Sequence, residues 1–249
     1  MNQSAVASVP TVPSSIESLV LRALRTFPMI EAGDRIAVGI SGGKDSLLLW
    51  SVLRHLQRRQ DMRLELVGVH LDQHQPGFDR EGFDALMRRF DVDLHVVSED
   101  TWSRVESTLA PGQIPCSICG RLRRGILNRW CAEQGYNRLA LGHHLDDAIE
   151  TFFLNLFFRR QLDPLKAITP SDTGVATIRP LILVEERKII AWQRHHEVQA
   201  VACPVCDQWP DSSRRNLGVL LEQMREVHPE LEQSVRDALY GAADVRKPS

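Results

Sequence analysis

A short apolar run, Ile36–Ile40, passes through Ser41-Gly42-Gly43 into Lys44-Asp45-Ser46 and a leucine-rich segment. It reads as a buried strand turning through two glycines into a helix, which is the architecture of a phosphate site. Glycines let the backbone approach an anion, successive N–H groups and the helix N-terminus point at it, and Lys44 adds positive charge. The loop is not a Walker A loop. From Gly39 to Lys44 it is one residue too short, and Asp45 stands where that pattern needs Ser or Thr.

The surrounding pattern fits a sheet that would carry such a loop. Apolar stretches at Arg35–Ile40, Leu64–His70, Leu94–Val97 and Arg138–Gly142 alternate with helical periodicity at Ser46–Arg58, Glu81–Phe90, Gly120–Gln134 and Asp146–Phe158. Alternation of this kind predicts an α/β fold, a parallel sheet with helices on both faces. Ser14 and Glu17 are spaced as a capping box that opens a helix through Ile16, Val20 and Phe27. Helices near Glu185–His196, Ser213–Val227 and Pro229–Tyr240 form a helical C-terminal extension. The chain divides into a polar, flexible tail over 1–13, a nucleotide-binding domain with a metal-binding insertion over 14–200, and the second cysteine pair with the terminal helices over 201–249.

With 249 residues, 43% hydrophobic, the chain can bury a substantial core. Its net charge of −2 does not announce a nucleic-acid binder, although an even balance can hide a basic face. The longest apolar patch, Phe152–Phe158, is interrupted by Asn155 and too short to span a bilayer. No basic, apolar leader opens the chain, so a soluble cytoplasmic protein without membrane contact is expected.

In open α/β sheets ligands bind at the carboxyl ends of the strands. Two segments join the glycine loop there. Leu71-Asp72-Gln73, after the strand ending at His70, would place a carboxylate and an amide beside a nucleotide's sugar or base, although an isolated Asp there also suits a turn. Gly142-His143-His144-Leu145-Asp146-Asp147 brings two imidazoles and two carboxylates to a helix start. Asp in that place caps N–H groups, but paired acids beside paired histidines point to magnesium or phosphate handling by Asp146 or Asp147.

Cys116-Ser117-Ile118-Cys119 and Cys203-Pro204-Val205-Cys206 form two C-x-x-C pairs. They lie too far apart for a zinc ribbon, so a shared site would be assembled between distant loops. Zinc and an iron–sulfur cluster both accept thiolates, and spacing does not separate them. Cys131 falls within the apolar pattern of its helix and reads as structural. Arg121-Leu122-Arg123-Arg124 and Arg129 form a basic cluster that can bind nucleic-acid phosphates, with Arg121 and Arg124 as the RNA-binding candidates. Arg159-Arg160 and Arg214-Arg215 could extend it.

Six ordered motifs together resemble one family. They are Ser-Gly-Gly-Lys-Asp-Ser at 41–46, Leu-Asp-Gln-x-Gln-Pro-Gly-Phe at 71–78, Cys-Ser-x-Cys-x-Arg-Leu-Arg-Arg-Gly-Ile-Leu at 116–127, Gly-His-His-x-Asp-Asp at 142–147, Ile-Arg-Pro-Leu at 178–181 and the last C-x-x-C. These resemble the TtcA family, tRNA 2-thiocytidine biosynthesis proteins of the PP-loop ATP pyrophosphatase superfamily. The resemblance implies a Rossmann-like fold and an ATP- and Mg²⁺-dependent sulfurtransferase that thiolates C2 of cytidine 32 in the tRNA anticodon loop, using an oxygen-sensitive 4Fe-4S cluster. It implies ATP contacts at Ser41, Gly42, Gly43, Lys44, Asp45, Ser46, Asp72, Gly142 and His143. Asp45, Arg123 and one of Asp146 or Asp147 would lie near the reacting groups. Cys116, Cys119 and Cys206 would hold the cluster, with Cys203 as the alternative third ligand. A cysteine desulfurase or other sulfur donor and a homodimer are further implied partners. The chain departs from the pattern at Arg159-Arg160-Gln161, where a glycine turn is usual, and at Asp207-Gln208-Trp209 after the last cysteine. Thiolation of another base, as in 2-thiouridine formation, and a metal-stabilised RNA-binding module without catalysis are the alternatives.

Overall fold

The computed structural model describes residues 9–59, 63–109, 115–201, 203–204 and 213–241. The side chains of residues 116, 117 and 213–215 lie outside the described set. Six strands, β1 (Arg35–Gly39), β2 (Glu65–Asp72), β3 (Leu94–Ser98), β4 (Arg138–Ala140), β5 (Ile168–Thr169) and β6 (Ala176–Ile178), form one sheet in the order β3-β2-β1-β4-β6-β5. Pairings β1–β2, β1–β4, β2–β3 and β4–β6 are parallel, and only β5 runs antiparallel, opposite β6. The expected α/β fold is present, with an added antiparallel edge. Neither β5 nor β6 was expected from the pattern, because two or three residues carry too little alternation to register.

Strand β1 shows how the two faces are built. Ile36 and Val38 point into the larger core and Ala37 into the smaller one, so successive residues serve opposite layers. The larger core takes in α1 (Ser14–Thr26), α2 (Lys44–Arg58), α3 (Arg80–Arg89), α6 (Leu145–Leu154), α7 (Glu186–His195), α8 (Ser213–Val227) and α9 (Leu231–Tyr240). The smaller is covered by α5 (Cys116–Glu133) through Ile126, Leu127 and Cys131. The short α4 (Trp102–Thr108) lies between β3 and α5 in sequence. Helix α2 is buried from Ser46 to Leu53 without an exposed polar stripe, because it packs against β1 and β2 of the sheet and against α7. Each fully buried leucine there contributes about 1.5–3 kcal/mol of transfer free energy.

Several expected boundaries shift for physical reasons. Ser14 is not a cap: Pro13 holds the N-cap position and its carbonyl accepts from Ile16 N and Glu17 N, both at 3.0 Å. Glu17 pairs instead with Arg59 and with His55 Nε2 at 3.5 Å. The expected tail is partly pinned, since Trp192 Nε1 donates to Thr11 O at 2.9 Å; residues 1–8 lie outside the described set. The helix expected over Asp146–Phe158 ends at Leu154 and widens into a π-helical turn, Asn155–Arg159, closed by Arg160 at φ 57°. Among the described residues, no helix is long and apolar enough to cross a membrane.

Candidate active site

Strand β1 delivers the chain to the loop at the sheet's carboxyl edge, and serine hydroxyls shape that loop. Ser46 Oγ donates to Gly43 O at 2.9 Å and accepts from Ser41 N at 3.2 Å, while Gly43 N donates to Ser41 Oγ at 3.2 Å. Gly42 adopts φ +83°, where side chains are strained, and a Cβ there would sit 3.0 Å from Phe83 and 3.2 Å from Val201. Gly43 caps α2, so the N-terminal N–H groups of that helix open at the loop.

A cavity of about 440 Å³ opens over the loop. Its walls include Ser41, Gly43, Asp45, Ser46, Asp72, Gly142, His143, Asp147, Arg123, Arg124, Cys119 and Cys203. Residues from five separate stretches of chain therefore converge. Gly142 makes the convergence possible: a Cβ at that position would lie 2.9 Å from the carbonyl carbon of Asp45 and 3.1 Å from Ser46 N. Only glycine lets the end of β4 rest against the first turn of α2. The later cysteine segment is tied to the loop by Val201 N donating to Gly42 O at 3.1 Å, which brings Cys203 to the cavity.

Some expected site residues stand elsewhere. Lys44 does not line the cavity; its Nζ lies 2.8 Å from Glu186 Oε1 and 3.2 Å from Asp45 Oδ1. Burial alone would lower its pKa, but the hydrogen bond to Glu186 and the neighbouring carboxylates hold it above the usual lysine value. Asp146 also lies off the cavity. Its carboxylate accepts from Glu186 N at 2.7 Å and from Arg225 Nη2 at 3.2 Å, fastening α6 to the start of α7 and to α8. Asp147 is the member of the acid pair on the cavity wall, and it caps α6 by accepting from His144 N at 3.0 Å. Asp72 lines the cavity and is also a turn residue, accepting from His74 N at 3.0 Å. Gly42 is turned toward Phe83 and Val201, and Arg121 lies outside the cavity wall. Arg129 is engaged with Glu99 at 2.8 Å.

Two further histidines belong to the site, His70, which motif reading missed, and His144, which it marked only as one of a pair. His70, at the end of β2, lines the cavity, and its Nδ1 donates to Ile40 O at 2.8 Å. Burial holds its pKa below the ordinary value, so the ring is neutral near pH 7 and braces the strand that leads into the loop. His144 is buried among three carboxylates, 3.5 Å from Asp147, 3.7 Å from Asp146 and 3.8 Å from Asp45. The signal for His70 was its place at a strand's carboxyl end. For His144 no local signal separates it from its neighbour. Burial raises the Asp45 carboxyl above its ordinary value, against the pull of His144 and Lys44, and its Oδ1 is sealed from solvent with no hydrogen bond among the described residues beside its ion pair with Lys44. Partial burial and the charges of Arg123 and Arg121 lower the Arg124 pKa.

Among the described residues, no three His, Cys, Asp or Glu side chains stand close enough to hold a metal ion. Of the four paired cysteines, Cys116 opens α5 with its side chain outside the described set, and Cys206 lies outside it entirely. Cys119 and Cys203 share the cavity. Around them the wall is rich in donors: Gln73, Gln75 and Trp102 line it, and the buried Trp102 Nε1 has no acceptor among the described residues. Cysteine sulfurs and N–H donors on one wall suit an anionic, sulfur-rich group. Cys131 is different. It is fully buried away from the cavity, and burial pushes its thiol up to about 12. Cys131→Ala should therefore leave metal content unchanged, and native protein should show no thiol modification at this residue by peptide mapping after brief maleimide treatment at pH 7.

Comparison with known proteins places this arrangement. A family described as a PP-loop domain matches residues 15–204. The chain is 38% identical over 208 residues to the tRNA-cytidine(32) 2-sulfurtransferase of Variovorax paradoxus, covering 83% of this chain and 67% of that protein. It is 39% identical over 219 residues to the enzyme of the same name from Bordetella pertussis, covering 88% and 68%. Among solved structures, the U34-tRNA thiolase NcsA from Methanococcus maripaludis, determined with its 4Fe-4S cluster, superposes with a TM-score of 0.71 at 22% identity, over 93% of this chain and 80% of that one. At that identity the likeness is one of fold.

Proposed function

We propose, for a chain that belongs to the TtcA family of PP-loop proteins, that it uses ATP to replace the C2 oxygen of a tRNA cytidine with sulfur, at position 32 of the anticodon loop. The observation that carries this reading is the shared cavity. The phosphate-type loop at Ser41–Ser46 and the thiols of Cys119 and Cys203 face one space, as a reaction joining nucleotide activation to sulfur delivery requires. The domain division of 14–200 and 201–249 is part of the same proposal.

The chemistry divides into two displacements. The C2 oxygen of cytosine is a poor leaving group, so it first attacks the α-phosphorus of ATP and pyrophosphate departs. Sulfur then bonds to C2, and AMP leaves with the former oxygen. For the first displacement, the loop N–H groups and the open N-terminus of α2 stabilise charge on the departing pyrophosphate. Lys44 adds its cation on exchanging Glu186 for a phosphate. Asp45 and Asp147 are the carboxylates placed to share Mg²⁺ with the phosphates, and their oxygens are the ligand type that ion takes. Asp146 serves instead by fixing α6, and hence Asp147 and His144, in place. For the second displacement, Cys116, Cys119 and either Cys206 or Cys203 would hold a 4Fe-4S cluster, which supplies an iron position able to carry sulfide. Arg123 and Arg124, on the cavity wall, are placed to meet RNA phosphates.

The test is made on protein purified without oxygen. Expected are about four irons and four sulfides per chain, lost in Cys116→Ala/Cys119→Ala, and 2-thiocytidine in nucleosides from tRNA incubated with ATP, Mg²⁺ and sulfide. A colourless zinc protein, or thiolated uridine in place of cytidine, would overturn the proposal.

A further inference from the structure

Gln73, immediately after β2, is a side chain that neither loop nor acid-pair chemistry uses. It is 6% exposed, and a buried carboxamide costs free energy unless its groups are hydrogen bonded. One Nε2 hydrogen goes to Thr101 Oγ1 at 2.8 Å and the other to Cys119 Sγ at 3.2 Å. Thr101 is itself fully buried. Backbone bonds lock the pair, with Trp102 N donating to Gln73 O at 3.2 Å and Glu99 N to Asp72 O at 3.0 Å. A neutral thiol would also donate to Gln73 Oε1, which lies 3.5 Å from Cys119 Sγ, but it is weak both as donor and as acceptor. A thiolate makes a charge-assisted bond of roughly twice the strength, and a metal-bound cysteine is a thiolate. Gln75 Nε2 stands 3.8 Å from the same sulfur, a second donor on the same side.

We infer that Gln73 is the positioning residue of the thiolate site: its buried carboxamide, braced by Thr101, donates an N–H to the Cys119 thiolate and raises the reduction potential of the cluster that this sulfur ligates. The inference rests on the cluster reading above. Hydrogen bonds to cluster sulfurs favour the reduced, more negative state, so removing one lowers the potential.

The experiment is an anaerobic redox titration of iron-loaded protein, followed by visible absorption and electron paramagnetic resonance, on wild type, Gln73→Met, Gln73→Glu and Thr101→Val. Methionine keeps the length and removes the donor; glutamate adds a repelling charge. The potential is expected to fall from wild type to Gln73→Met to Gln73→Glu. The first step is about 59 mV, a tenfold change for one electron, and Thr101→Val moves the same way by less. Iron release to a chelator should quicken about tenfold in Gln73→Met, an expected size set by one charge-assisted bond. Should Gln73→Met fail to fold, Thr101→Val decides by the sign of its shift. An iron-loaded Gln73→Met of unchanged potential and release rate overturns this inference alone. Wild-type protein without iron overturns it together with the proposed function.

Discussion

Asp45→Asn is expected to abolish tRNA-dependent conversion of ATP to AMP and pyrophosphate, by at least about a hundredfold, while making the protein harder to unfold at neutral pH. The first half follows from position: Asp45 is the one carboxylate on both the glycine loop's helix and the cavity wall, and asparagine cannot share Mg²⁺ with phosphates in the same way. The second follows from burial, which raises this carboxyl above the ordinary carboxylate value despite His144 and Lys44. A carboxyl raised on folding supports the fold fully only below its unfolded pKa of about 3.9. That support is lost as pH rises through the folded value. At pH 7 the ionised group counts against folding, and asparagine removes the cost. Thermal melts should place the variant above wild type at pH 7, with the gap closing toward pH 4. A variant that melts lower at pH 7, or one that retains turnover, contradicts the assignment. Removing such a destabilised functional group commonly exchanges activity for stability.

Gly142→Ala is expected to damage both fold and nucleotide binding. The new Cβ would meet backbone atoms of Asp45 and Ser46 at 2.9–3.1 Å, and backbone gives way less readily than a side chain. Overpacking of this kind costs about 1–3 kcal/mol. Here the strain falls on the start of α2, so the loop N–H groups move with it. Urea unfolding should show a lower midpoint at unchanged slope, and titration with a non-hydrolysable ATP analogue should show lost affinity. Gly125→Ala is the control. Gly125 lies inside α5 with nothing within 4 Å of a Cβ, and there alanine should stabilise by about 0.5–1 kcal/mol. Equal behaviour of the two variants would mean that the close approach at Gly142 does not constrain the site.

The site was unevenly legible before the structure. Adjacent residues with the same chemistry proved hardest to separate: Asp146 and Asp147 are indistinguishable as a motif, yet one is held by Arg225 and Glu186 N and the other faces the cavity. Lys44 had the same difficulty, because its partner Glu186 comes from a distant helix. His144 and Gln73 stood inside marked motifs, but nothing local assigned their partners, since their importance lies in what surrounds them. Strands β5 and β6 were hidden for another reason, being too short to show a period.

What could be read within a few residues was the glycine loop, the alternation that makes a parallel sheet, and the two C-x-x-C pairs. Each depends on local spacing: the turn needs its glycines, the sheet its apolar runs, the thiols their two-residue gap. The folded chain decided which groups meet. Gly142 lets β4 close onto α2, and Val201 ties the second cysteine segment to Gly42. Burial then leaves Asp147 on the cavity and commits Asp146 to an ion pair. Such outcomes depend on partners distant in the chain, because packing and burial set which polar groups are engaged internally and which are left to a ligand.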